Sequence, residues 1–273
     1  LLRCGEAESL FEQALEPAER AGDERLVALL LRGLGRAAVF GPRPARSALE
    51  RCEALLERAR EIGPMTAANI AMLRTVPEAQ LGDLTAARAH AQEARTAMQE
   101  FQTTAWITFM AYIAMIALLA DDPALAEREL QGVVEQLGEA GEHAYASTVA
   151  ALRARAQVEL GRLDEAEQAA RQALELAEQE DAVSQAYAHA ALARALASDG
   201  RQEEALREGL LAVAAVEAAD VPDIRADVYF DLARVHAANG VGERAEEAAR
   251  AAQELYRAKG NEVGLSRVSA FLG

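Results

Sequence analysis

The run Gly161-Arg-Leu-Asp-Glu-Ala166-Glu-Gln-Ala-Ala170-Arg-Gln-Ala173-Leu174 places small residues at offsets of zero, four and seven behind a glycine. In a helix those offsets fall on one stripe, and small side chains there let a neighbouring helix come close. The spacing occurs seven times: Ala7/Phe11/Ala14, Ala48/Cys52/Leu55, Ala87/Ala91/Ala94, Ala126/Leu130/Val133, Ala166/Ala170/Ala173, Ala205/Gly209/Ala212 and Ala245/Ala249/Ala252. The leading alanines stand 41, 39, 39, 40, 39 and 40 residues apart. Self-similarity at a fixed period marks a solenoid of stacked units. The expected fold is therefore all-α, a superhelix of seven helix-turn-helix units.

Turn signals precede the stripes at a constant distance. Gly82, Gly161, Gly200 and Gly240 stand five residues before Ala87, Ala166, Ala205 and Ala245, where a residue of positive φ closes the preceding helix. In the fourth unit Asp121-Asp122-Pro123 does this job, with Asp122 read as an N-cap and Pro123 as the first helical residue. The second unit uses Gly41-Pro42-Arg43-Pro44. Two helices of roughly 14 to 17 residues and two short turns fill the period. The units fall at approximately 1–23, 24–63, 64–103, 104–141, 142–181, 182–221 and 222–260, with 261–273 as a C-terminal capping helix, all in one array. The chain opens in the second helix of its first unit, which suggests a fragment whose Leu10, Phe11, Ala14 and Leu15 seek a cover. A homo-oligomer through that truncated unit is one way to supply it. Pro77 is expected to break the first helix of unit three, because proline removes a backbone donor.

The hydrophobic share is 51% but aromatics are only 4%, so alanine and leucine supply the apolar surface, as in close-packed helices. Net charge is -16, and such a surface repels phosphate backbones and anionic lipid; neither nucleic acid nor membrane is an expected partner. Lys259 is the sole lysine. Cys4 and Cys52 have no metal-ligand spacing, which fits a reducing, cytoplasmic setting. The apolar run from Ala105 to Ala120 is shorter than a membrane span and falls in register as the first helix of unit four.

The glycine, alanine, alanine pattern of 161–174 is similar to the second half of a tetratricopeptide repeat. The period of about 40 resembles the longer variant of bacterial signal-transduction ATPases and large transcriptional activators. Further stretches resemble the C-terminal tetratricopeptide region of actinobacterial-type class III adenylate/guanylate cyclases that carry an ATPase module. These are Phe40-Gly-Pro-Arg-Pro44 with Arg51-Cys-Glu-Ala-Leu-Leu56, Asp122 to Leu130, Ala146-Ser-Thr-Val-Ala-Ala-Leu152, Asp181-Ala-Val-Ser-Gln185, and Asp227 to Arg234 with Tyr256-Arg-Ala-Lys-Gly-Asn261. The resemblance implies a right-handed superhelix whose concave face binds a protein or peptide segment, plausibly from upstream domains of the same protein. A rival expectation is a small-molecule effector-sensing array, as in transcriptional activators of the maltose-regulon type, which needs an enclosed polar and aromatic pocket.

Catalysis does not come with the resemblance, since no phosphate-loop motif occurs. No enzyme activity, cofactor or metal is expected. Gly33-Leu-Gly35-Arg-Ala-Ala38 imitates a dinucleotide fingerprint but sits in a helix, outside the strand-turn-helix that such a motif needs. His90, His143, His189 and His236 fall in different units. Two features point to binding. Arg155, Arg194 and Arg234 share one repeat position, eleven residues before Ala166, Ala205 and Ala245, and would form a guanidinium ladder on the first helices. That ladder reads either as structural rungs or as a track for carboxylates. Trp106, Phe109, Tyr112, Met115 and Leu119 encircle the first helix of unit four, as a helix buried on both sides or an apolar floor for a partner.

Overall fold

The computed structural model describes residues 3–101, 104–139, 141–178 and 180–273. Among them it contains fifteen α-helices, a 3-10 turn over Thr104–Thr108 and no strand. The helices are α1 (Cys4–Arg20), α2 (Glu24–Phe40), α3 (Ala45–Ile62), α4 (Pro64–Gln80), α5 (Leu84–Gln99), α6 (Phe109–Leu119), α7 (Pro123–Leu130), α8 (Val133–Glu139), α9 (His143–Glu159), α10 (Leu163–Leu176), α11 (Ala182–Ser198), α12 (Gln202–Val216), α13 (Pro222–Ala238), α14 (Gly242–Lys259) and α15 (Glu262–Leu272). Consecutive helices pack as pairs, and the pairs stack in the all-α, tetratricopeptide-like solenoid expected from the alanine register.

The two helices of a pair differ in how many sides they bury. In α10 only Ala166, Ala169, Ala170 and Ala173 are buried, the single stripe of an outer helix. In α11 ten residues are buried, among them Ser184 and Tyr187, so it is enclosed on nearly every side. The first helices of the pairs therefore lie inside and the second helices outside. Ion pairs reach between neighbouring outer helices near the repeat spacing: Arg51 to Glu12 at 2.6 Å, Arg95 to Glu129 at 2.8 Å and Arg201 to Glu167 at 2.8 Å.

The stripe residues are buried from the second unit onward. Gly209 is a glycine because a β-carbon there would stand 2.9 Å from Leu232 Cδ1 on α13. Asp121 takes the turn position that glycine holds elsewhere, with φ 56. Asp122 then caps α7 by accepting from the Leu125 N–H at 3.1 Å, and Pro123 opens the helix.

Two local expectations resolve differently. Helix α4 runs through Pro77 to Gln80 without a break. Proline there lies in the last turn, where it removes one backbone bond and the buried surroundings of Val76, Ala79 and Gln80 hold the helix. The outer helix of unit four is instead the interrupted one: it stops at Leu130, passes through extended Gln131 and Gly132 at φ 72, and resumes as α8. The Gly33 and Gly35 of the false fingerprint are contact glycines, since a β-carbon would meet the Phe11 ring at 2.7 Å or Leu73 Cδ1 at 2.9 Å.

The two ends of the array meet. Asp220, before α13, accepts from the N–H groups of Cys4 at 2.5 Å and Gly5 at 2.8 Å. It caps α1 from 215 residues away, where Arg3 offers no side-chain cap. Lys259, at the end of α14, is fully buried and donates to the carbonyls of Val39, Gly41 and Arg43 at 2.6, 2.7 and 2.8 Å. An ammonium at the C-terminus of α2 also suits the helix dipole. Gln80 and Asn261 donate to Asp223 at 2.7 and 3.0 Å, and Arg267 to the Leu118 carbonyl at 3.4 Å. The solenoid thus closes into a ring whose inner wall is made of first helices.

Candidate functional site

Ring closure leaves a cavity of about 50 Å³ on the axis. Phe40, Val76, Met115, Leu118, Leu119, Leu152 and Ile224 form its apolar wall, and Gln80, Arg155, Tyr187, Asp223, Asp227, Asn261 and Arg267 its polar one. Contributions from α2, α4, α6, α9, α11, α13 and α15 meet there, so residues up to 227 positions apart, Phe40 to Arg267, share one space.

The arginine ladder borders this cavity and is internally paired. Arg155 Nη2 stands 3.5 Å from both Asp227 and Asp231, and its guanidinium lies 4.3 Å over the Tyr187 ring. Arg194 reaches Glu159 at 2.5 Å and Asp231 at 3.4 Å. Arg234 reaches Glu159 at 2.9 Å and Asp231 at 3.8 Å, and stacks 4.3 Å over Phe230. Three guanidiniums therefore face three carboxylates. Burial alone would raise the Glu159 carboxyl, but Arg194 and Arg234 overcome it and hold the group at about 2. Burial opposes the charge on Arg155, and Asp231 and Asp227 more than offset that, so its pKa is raised. Arg234 is lowered by burial and by Arg194 beside it.

Pairing does not use all of Arg155. Its contacts to Asp227 and Asp231 are ion pairs, and its Nη1 is buried with no hydrogen-bond partner. Gln80 Oε1 is likewise buried without a partner. The carboxylates are better satisfied: Asp227 accepts from the Tyr187 hydroxyl at 3.2 Å and the Tyr256 hydroxyl at 2.5 Å. Burial raises the Asp223 carboxyl to about 6 despite Lys259 and the Asn261 amide, which pull it down. An orphaned buried polar atom is costly, and these two leave hydrogen-bonding capacity unspent in residues that line the cavity.

The apolar residues of unit four divide. Met115 and Leu119 line the cavity. Tyr112 packs beside it against Phe40, with ring centroids 6.1 Å apart. Phe109 is buried in the main core, and Trp106 lies under Arg95, 5.9 Å from guanidinium carbon to ring centroid. Among the lining residues not read from the sequence, Gln80, Asp223, Asn261 and Arg267 come from the seam.

His90 and His189 pair with Glu78 at 3.0 Å and Glu208 at 2.6 Å, and the side chain of His143 lies outside the described residues. Cys4 and Cys52 are buried free thiols. Among the described residues no group of three or more His, Cys, Asp or Glu could hold a metal ion, and no helix is long and apolar enough to cross a membrane.

No protein-family model matches the chain, and no curated protein sequence matches it. Solved structures do share its fold. A Rap protein complexed with Competence and Sporulation Factor superposes with a TM-score of 0.64 over 96% of this chain and 80% of that one, at 13% identity. NprR in complex with its cognate peptide NprX gives 0.68 over 98% and 80%, at 14% identity. The peptide-free quorum sensor NprR from B. thuringiensis gives 0.56 over the same shares, at 14% identity. These likenesses correct the expected kinship with the repeat region of cyclase-linked ATPases. Four of the stretches that suggested it have a place in the fold itself: Phe40–Pro44 and Tyr256–Asn261 build the seam, and Asp122 and Asp181 are helix caps.

Proposed function

We propose that this chain is a regulatory repeat module without catalytic chemistry of its own, and that it takes a peptide or protein segment on the axis enclosed by its first helices. The observation that carries the reading is the cavity where the first helices meet, lined by Met115, Leu119 and Ile224 together with Gln80, Arg155 and Arg267. The Rap and NprR chains that share the fold were solved in complex with Competence and Sporulation Factor and with the cognate peptide NprX, which supports a binding role here. Arg155, Met115 and Leu119 would touch the segment directly. Arg194 and Arg234 would hold Arg155 in place through Asp231, and Phe109, Tyr112 and Trp106 would back the apolar wall.

A second reading, an array that senses a small effector, is favoured by the small volume of the cavity and by Phe40 and Tyr187 in its lining. Selection of random heptapeptides against the intact chain separates the two. A selected peptide at a hundredfold its Kd should raise stability by about 2.7 kcal/mol, and Met115→Trp, which fills the cavity, should abolish that gain. Peptides that bind Met115→Trp undiminished would place the segment elsewhere and refute the reading.

A further inference from the structure

We propose that the inner faces of α2, α6 and α9 form a carboxylate site: Arg32 and Arg36, with the hydroxyls of Tyr112 and Tyr145, receive an aspartate or glutamate side chain of the bound segment. This rests on the peptide reading above and names a residue that the segment must carry.

Position argues first. Arg32 and Arg36 stand one helical turn apart on α2, a first helix, and both are exposed. Arg36 Nη1 donates to the Tyr145 hydroxyl on α9 at 3.0 Å, although α4 and α6 separate those helices in the ring. The bond therefore crosses the interior. Tyr112 on α6 is within electrostatic reach of both guanidiniums, and its ring packs against Phe40 of the cavity wall. A side chain held here adjoins that wall.

Unspent hydrogen-bonding capacity argues second. In a chain of net charge -16 the arginines readily find carboxylates, as Arg51 on α3 does with Glu12 and Arg74 on α4 with Glu78. Arg32 and Arg36 make no ion pair with a described residue. The carboxylates beside Cys4, which lies within electrostatic reach of Arg36, are engaged elsewhere: Asp220 caps α1, and Glu8 pairs with Arg43 at 2.6 Å. Each guanidinium carries five N–H donors, and Arg36 spends one on Tyr145. Tyr145, having accepted that bond, keeps its own O–H to donate. Burial raises the Tyr112 phenol against the pull of Arg36 and Arg32, so it too keeps its proton. Donors at two positive charges call for an anion that only accepts, and the two oxygens of a carboxylate suit two guanidiniums. Elsewhere the net negative charge of the chain repels such a residue.

The test uses the intact chain with ¹³C-labelled tyrosine rings, the signals of Tyr112 and Tyr145 being assigned from Tyr112→Phe and Tyr145→Phe. The probes are two heptapeptide pools, blocked at both ends, with aspartate or asparagine fixed at the centre and uncharged residues elsewhere; N-acetylaspartate and inorganic phosphate serve as free anions. The aspartate pool should shift both signals at a concentration at least about tenfold lower than the asparagine pool, the scale of a lost charge-assisted contact, and the advantage should shrink as salt rises. Arg32→Gln, at an exposed position, should remove a similar factor from the aspartate pool and leave the asparagine pool unchanged. Equal shifts from both pools would overturn the carboxylate site and leave the peptide reading standing. So would an aspartate preference undiminished in both Arg32→Gln and Arg36→Gln. Saturation by either free anion at the concentration of the aspartate pool would give the site to a small acid and overturn the peptide as its source. Heat of binding in calorimetry without a shift at either tyrosine would overturn the site alone, and neither heat nor shift with either pool would overturn the peptide reading with it.

Discussion

Replacing Lys259 by methionine should open the ring without dissolving the helices. The ammonium is fully buried and holds the carbonyls of Val39, Gly41 and Arg43 at 2.6 to 2.8 Å. A hydrogen bond to a charged group contributes about 1.5–3 kcal/mol, and removing one partner of a buried charged cluster costs about 3–5 kcal/mol. Methionine keeps the apolar stem, so the loss comes from three carbonyls that must find water. About 3–5 kcal/mol is a large share of the roughly 5–15 kcal/mol that stabilises a domain, yet it falls on contacts between the ends of the array. Arginine should not rescue the site, because a planar fork cannot aim three donors at carbonyls that converge on a point.

Cysteine reactivity reads the seam directly. Cys4 lies against Gly41, with its Cβ 2.8 Å from where a β-carbon would be, and burial pushes its thiol up to about 11. Cys52 is fully buried within the core that α1 to α4 share, and burial pushes it up to about 12. In Lys259→Met, labelling of Cys4 by a disulfide reagent should accelerate by about two to three orders of magnitude, as an opening free energy reduced by a few kcal/mol requires. Cys52 should respond far less. Unchanged Cys4 labelling, or equal acceleration at both thiols, would refute the seam as a separable contact.

Asp223 gives the seam a pH dependence of definite sign. Its folded pKa of about 6 lies above the ordinary value of 3.8, so the folded chain holds the proton more tightly and stability falls as pH rises from about 4 to 6, by up to about 3 kcal/mol. Asp223→Asn should flatten that slope, and a constant difference between the two proteins from pH 4.5 to 7.5 would contradict it. Glu159 acts in a lower window, its contribution present above 4.5 and lost as pH falls through about 2. Asp231 is buried and pairs with all three ladder arginines, so Asp231→Ala should lower stability by about 3–5 kcal/mol in urea unfolding; a loss under about 1 kcal/mol would show that the ladder does not depend on it. Gly209→Ala should cost about 1–3 kcal/mol through its clash with Leu232, and Gly209→Ala with Leu232→Ala should be less than additive. Additive losses would show that the close approach is not what requires glycine.

Within a unit, the sequence was legible because the determinants are local and repeated. Ala166, Ala170 and Ala173 announce a buried stripe wherever they recur, and Asp121-Asp122-Pro123 could be matched to glycine turns because the same φ and the same cap are needed there. Pro77 was misjudged because proline's cost depends on its distance from the helix end, which a periodic pattern does not mark. The ladder was found as a position, but its carboxylates were not, since Asp231 and Glu159 belong to different units and meet only once the array curves. Closure itself has no periodic signal at all: Asp220 to Cys4 and Lys259 to Val39 join residues more than 200 positions apart. The chain's one departure from arginine sits at that closure. In a chain whose positive charge is otherwise arginine, Lys259 stands where a flexible point charge with three donors is required, and its three carbonyl partners supply that requirement. An isolated departure from a chain's own substitution habit therefore marks a long-range contact that repeat analysis averages away.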